Sequence, residues 1–196
     1  MLSNLCHLLD NGMFEPYTSA ILKAAATLAF FGLLQCGEFT SCSNILDAAL
    51  SRSDVTFFQQ DACLGLAVNF KASKTDPFRA GCLLKICQIK GLACPVNAIT
   101  QFLKLRSALN LSVNSPLFSQ ANGRPLSRGD FVEFIRSMLE SLGLNSRSIG
   151  GATAAAAARI PDRLNKTMGR WSSNCYQTYI QTPLALIREA QIRMAR

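Results

Sequence analysis

The segment Gly150–Pro183 reads GGATAAAAARIPDRLNKTMGRWSSNCYQTYIQTP, and its interpretation decides the fold. Ile149 to Arg159 is a tight alanine-rich run that predicts a helix, and Pro161 opens a second helix that stops at Gly169. There follows Gly169-Arg170-Trp171-Ser172-Ser173, with Tyr179 eight positions after Trp171 and Tyr176 as a local decoy. Taken singly, these residues have ordinary readings. A tyrosine near a chain end usually packs or caps, and a single tryptophan is usually core. The cations Arg159, Arg163, Lys166 and Arg170 suit either a solvated face or contacts to a nucleic-acid backbone.

Working outward, the pattern upstream is helical, then extended, then helical again. Tyr17 to Leu34 predicts a long helix, apolar almost all round at its far end and therefore a core element. The chain then turns at Gly37, and Glu38 is placed to open a short helix running to Leu50, where its charge suits the helix dipole. Asp54–Gln59, Leu64–Phe70 and Gly81–Ile89 read as three strands joined through the polar turn KASKTDP, giving a small antiparallel sheet. Pro95 to Leu109 is amphipathic, with Pro95 at a first helical position. Asn114 to Pro125 is a loop holding one apolar island, Leu117-Phe118. Ser127 with Asp130 forms a capping pair for a helix running to Leu142 and stopped by Gly143. Leu184 to Arg196 predicts a tail helix with Leu184, Ile187 and Met194 on one side. The expected class is α+β, mainly helical with one three-stranded antiparallel sheet, in a single domain covering residues 1–196.

Composition narrows the partner. The 196 residues carry 20 basic and 12 acidic side chains, a net charge of +8, and 49% of them are hydrophobic. That describes a globular chain whose charge favours a polyanion, or simply a soluble basic protein. Eight cysteines and one histidine give no metal-ligand spacing, so neither a metal nor another cofactor is expected. Most of the cysteines lie in apolar runs, Cys63 before LGLAV and Cys82 before LLKI, and read as small buried residues of a reducing compartment. The start lacks a secretory pattern, and Ala24–Leu34 is well short of the ~20 apolar residues of a membrane span.

With these elements in place, the segment 150–183 resembles the C-terminal motif of tyrosine recombinases, and in particular of the DIRS-type and Crypton-type mobile-element recombinases. Those carry a histidine–arginine motif, H-S-F-R-I-G-A-A-T, then a G-R-W-S-S box, then a tyrosine eight after the tryptophan. Ala29–Thr40, AFFGLLQCGEFT, is similar to the family's A-F-F-G-F-L-R-C-G-E-F-T, and Lys71–Cys82 is similar to its sheet hairpin. The resemblance runs along nearly the whole chain in the same order. It implies the DNA breaking–rejoining fold and a metal-free reaction in which a tyrosine attacks a DNA phosphodiester to form a 3′-phosphotyrosyl link. Two arginines clamp the non-bridging oxygens, a hairpin lysine protonates the leaving oxygen, and a histidine with a second histidine or tryptophan assists.

Carried over position by position, the resemblance puts Tyr179 at the nucleophile, Trp171 at the histidine-or-tryptophan position and Lys74 at the hairpin lysine. Lys71 and Arg79 compete with Lys74 for the last role. Glu38 lies three residues after the first arginine position, which Gln35 occupies. The run Ile149–Thr153 fixes the register that places Asn145 at the histidine and Ser148 at the second arginine. Three of the six catalytic positions are thus changed. Arg147, one residue from the lost arginine, is turned by roughly 100° on a helix and points away from the phosphate pocket.

The resemblance therefore implies a DNA-binding domain from a mobile element with severely impaired cleavage. Lys71, Arg79, Arg147, Arg159, Arg163, Lys166 and Arg170 are its expected backbone contacts, and a nuclear location follows from the DNA partner. An active recombinase, a protein-interaction module without DNA binding, and a decaying element copy are the alternatives. The family's N-terminal clamp domain has no room before Leu2, and the tail helix offers a means of oligomerisation.

Overall fold

The computed structural model describes residues 1–41, 50–60, 62–70, 81–144 and 151–170. The helices are α1 (Leu2–Asp10), α2 (Pro16–Phe31), α3 (Cys36–Phe39), α4 (Pro95–Arg106), α5 (Arg128–Ser141), α6 (Gly151–Ala157) and α7 (Asp162–Gly169). The strands β1 (Val55–Gln60), β2 (Cys63–Phe70) and β3 (Cys82–Cys87) form one sheet in the order β1-β2-β3. Both pairings are antiparallel, with Phe57 opposite Leu66 and Leu66 opposite Ile86. The expected class holds: a mainly helical chain with one three-stranded antiparallel sheet.

The apolar stretch of α2 forms the centre because nearly every side of it is covered. Ile21, Leu22, Ala24, Ala25 and Leu28 are all buried, with α1 and α4 packed against the helix. The alanines allow close approach, and Gly151, at the start of α6, comes closer still. A Cβ on Gly151 would stand 2.4 Å from the Phe30 carbonyl oxygen. Lys23 is buried and ion-paired with both oxygens of Asp10 at 2.8 Å.

Aromatic rings connect this centre to the later helices. Tyr17 meets Phe102 at 5.8 Å between centroids, Phe102 meets Phe118 at 5.7 Å, and Phe39 meets Phe131 at 5.1 Å, edge to face. The island Leu117-Phe118 is fully buried. Arg106, also buried, donates to the carbonyls of Leu117 and Pro116, each at 3.1 Å, so the loop's backbone acceptors are satisfied inside the protein.

The element boundaries follow from local chemistry. Pro95 opens α4 and Ser127 caps α5, its hydroxyl accepting from the Asp130 N–H at 3.0 Å. Gly143 stops α5 with a φ of +65°. The helix expected to open at Glu38 begins earlier, at Cys36, with Gln35 as its N-cap, so Gly37 lies inside a helical turn and not at the bend. The bend belongs to Gly32 and to Leu33, whose φ is +50°. The helix also ends early, at Phe39, where Thr40 is extended and Ser41 bridges to Ser127, so it does not run unbroken to Leu50. Residues 42–49, the turn Lys71–Pro77 and the tail helix Leu184–Arg196 lie outside the described residues.

One expectation about the cysteines is corrected. Cys6 and Cys94 are buried, but Cys63 and Cys82 are half-buried and Cys87 is exposed. An apolar run in a strand still alternates its faces. Leu66, Val68, Leu84 and Ile86 take the core side, while Cys63 and Cys87 share the outer side with Gly65, which the Phe58 ring covers. The described cysteines are all free thiols. Among the described residues no helix is long and apolar enough to cross a membrane.

Candidate active site

The corner between α2 and α3 carries Gln35, the position at which the recombinase resemblance expects an arginine. Gln35 stands at the N-cap of α3 with extended backbone, and its N–H donates to Glu38 Oε2 at 2.7 Å. This is the reach-back of an N3 carboxylate to the N-cap, which satisfies an otherwise unpaired donor at the helix start. Phe39, on the same turn, is buried against Phe118 and Phe131 and anchors it in the core.

The other oxygen of Glu38 receives a cation from far along the chain. Arg170 Nη2 donates to Glu38 Oε1 at 2.7 Å, and Arg170 Nη1 donates to the Gly32 carbonyl at 3.0 Å. The guanidinium lies over the Phe70 ring, 4.7 Å from its centroid. Both partners are largely withdrawn from water, with side-chain exposures of 9% for Arg170 and 15% for Glu38. The bond is therefore charge-assisted and little screened. Arg170 also caps α7 in the left-handed region, with φ +58°. One side chain so joins the end of α2, the start of α3, the end of β2 and the end of α7.

That placement differs from the exposed backbone contact expected of Arg170. One N–H of each terminal nitrogen is given to Glu38 and Gly32, and its Nε is buried without a partner. The sequence places Arg170 beside Trp171, but only folding brings Glu38, 132 residues away, against it. Phe70 and Gly32 were not singled out at all, since an aromatic at a strand end and a glycine after a helix have ordinary roles.

The remaining expected residues divide by position. Arg163 is exposed on α7 with Lys166 half-buried one turn later, and Arg159 is exposed just after α6 with φ +57°. Lys71, Lys74, Arg79, Asn145, Arg147, Ser148, Trp171 and Tyr179 lie outside the described residues. A further cation borders the corner. Arg128, exposed at the start of α5, is near enough to Cys36 for its charge to oppose the upward shift that burial gives that thiol. Its backbone N–H donates to the Ser41 carbonyl at 3.3 Å, which brings the start of α5 beside the end of α3. In the sequence Arg128 was hidden inside the capping pattern of α5. Among the described residues no group of three or more histidine, cysteine or acidic side chains is arranged to hold a metal.

Two solved structures share this fold. The site-specific recombinase XerH, in a post-cleavage complex with a palindromic difH substrate, superimposes with a TM-score of 0.68 at 15% identity, covering all of this chain and 51% of its own. The recombinase XerA superimposes with a TM-score of 0.62 at 13% identity, covering all of this chain and 62% of its own. The fold is that of a tyrosine recombinase catalytic domain. The chain spans about half the length of XerH and somewhat more of XerA. No protein-family profile and no curated protein sequence matches it. At such identities the recombinase likeness is one of backbone path. It leaves the chemistry of this chain to its own residues.

Proposed function

We propose that the chain is a DNA-binding domain of tyrosine-recombinase type, derived from a mobile element of the DIRS or Crypton kind, whose strand-cleaving chemistry is severely impaired. The observation that carries this reading is the state of position 35. In a recombinase fold, this corner sits beneath the first phosphate-clamping arginine, and here it presents a neutral glutamine at the N-cap of α3. The nearest large cation built into the corner, Arg170, is already held by Glu38 and the Gly32 carbonyl. Asn145 and Ser148 replace the histidine and the second arginine in the motif register.

The magnitudes favour loss of catalysis. Removing one preorganised oxyanion donor lowers rates about 10²–10³-fold, and losing two cationic clamps lowers them by roughly 10⁴ or more. A free tyrosine, whose phenol has a reference pKa of about 10, is a weak nucleophile without such help. DNA binding draws on different resources: the net charge of +8 and the cations Arg159, Arg163 and Lys166 around α7. XerH is a recombinase bound to its DNA substrate, which supports duplex DNA as the partner of this fold.

The test is incubation with a nicked suicide duplex, read on a denaturing gel for a covalent adduct and on a native gel for binding. The expected result is a salt-sensitive shift without an adduct. A Gln35→Arg, Asn145→His, Ser148→Arg triple variant is expected to gain an adduct that Tyr179→Phe abolishes. An adduct from the natural sequence, absent in Tyr179→Phe, refutes the impairment. No shift at low salt refutes the DNA-binding reading.

A further inference from the structure

We propose that Arg170 is a positioning residue, which serves DNA binding by registering the α7 terminus against the α2–α3 corner and not by touching phosphate. The inference rests on the DNA-binding reading above and assigns a different role to one of its cations.

Three features of the geometry point this way. First, the guanidinium turns both terminal nitrogens inward, Nη2 donating to Glu38 Oε1 at 2.7 Å and Nη1 to the Gly32 carbonyl at 3.0 Å. Its face is covered by Phe70 at 4.7 Å, which leaves only 9% of the side chain exposed. A cation so enclosed is poorly placed to release counterions from a duplex. Second, Glu38 is bivalent. One oxygen receives Arg170 and the other holds the Gln35 N–H, so the backbone of position 35 and the end of α7 are fixed to the same carboxylate. Third, Arg170 is the left-handed C-cap of α7, so its anchorage fixes the end of that helix to the corner. The cations Arg163 and Lys166 ride on the same helix, and any shift of α7 moves them together.

The two roles make opposite predictions for the acidic partner. If Arg170 contacts phosphate, Glu38 competes with DNA for it, and neutralising Glu38 frees a cation while removing a negative charge. Glu38→Gln then binds DNA more tightly. If Arg170 positions, Glu38→Gln weakens the shared anchor and binding falls. A lysine separates the roles a second time. It keeps the charge but offers a single ammonium where the guanidinium spans two acceptors and stacks on a ring.

The experiment measures fluorescence anisotropy of a labelled mixed-sequence duplex titrated with the natural chain and with Glu38→Gln, Arg170→Lys, Arg170→Gln and Phe70→Leu. Far-UV circular dichroism at the same temperature verifies that each is folded. Glu38→Gln preserves the shape of the side chain and one acceptor, and Phe70→Leu changes no charge, so both test the idea if the Arg170 variants fail to fold. The expected result is that Glu38→Gln loses about tenfold in affinity, the scale on which supporting hydrogen-bond partners act around other sites. Arg170→Lys is expected to fall as far as Arg170→Gln, and Phe70→Leu by less. Equal or tighter binding by Glu38→Gln, or natural affinity in Arg170→Lys, overturns the positioning role while leaving the DNA-binding reading intact. A natural chain that binds no duplex at low salt overturns both.

Discussion

Replacing Arg170 by methionine removes a charge and two hydrogen bonds while leaving an apolar stem against Phe70. Taking away one partner of a buried ion pair costs about 3–5 kcal/mol, because the other charge is left desolvated. Glu38 is not wholly abandoned. It remains bound to the Gln35 N–H and keeps 15% of its exposure, which places the electrostatic loss at the lower end, about 3 kcal/mol. The Gly32 carbonyl loses its donor as well, and the stacking on Phe70 contributes roughly a further 0.5–1 kcal/mol. A domain stable by about 5–15 kcal/mol is thereby weakened severely, and its Tm falls by roughly 7–16 °C at this chain length. The assay is urea unfolding followed by circular dichroism, run as a cycle with Glu38→Leu and the double variant. The double is expected to be less destabilised than the sum of the singles by more than about 1 kcal/mol, since deleting both charges leaves neither stranded. A loss below about 1 kcal/mol with additive singles would falsify the reasoning. The pair would then be behaving as a screened surface contact.

Two further outcomes follow from packing and burial. Gly151→Ala places a Cβ 2.4 Å from both the Phe30 carbonyl oxygen and Leu33 Cδ2. Since backbone cannot yield as a side chain tip can, α6 must move away from α2, and a loss of about 1–3 kcal/mol in urea unfolding is expected. Unchanged stability would show that the two helices are not in close contact. Cys6 has its thiol pKa pushed up by burial from 9.0 to about 11. Below pH 9 the thiol is protonated whether the chain is folded or not. As pH rises from 9 towards 11 the unfolded chain ionises and the folded one does not, so stability present below pH 9 is lost across that window. Urea midpoints at pH 8 and pH 10 are expected to differ more for the natural chain than for Cys6→Ala, and equal differences would refute the assignment.

Local chemistry made much of this protein legible before folding. Pro95 fixes φ at the start of α4, Ser127 supplies an oxygen to an orphan N–H at the start of α5, and Gly143 accepts the positive φ that ends it. The extended runs that became β1, β2 and β3 and the all-round apolarity of α2 identified a small sheet and a central helix in the same way. Such features depend on neighbours within a few residues, so a linear reading recovers them. The same reading put the α2–α3 bend at Gly37. Glycine is the usual left-handed residue, yet here Leu33 takes that conformation and Gly37 lies in a helix.

The candidate site divides along the same line. The sequence by itself determined that position 35 is a glutamine in a motif resembling one that carries arginine, and that Glu38 follows it by one helical turn. Both facts survive as the capped start of α3. Only the tertiary structure decided what Arg170 touches. As one cation among several near the chain's end it read as a DNA contact, but its electrostatic partner is 132 residues away and its ring partner, Phe70, closes a strand in the sheet. A charge takes its role from the acceptors and the dielectric around it. Those are assembled by packing, across distances along the chain that no local pattern encodes.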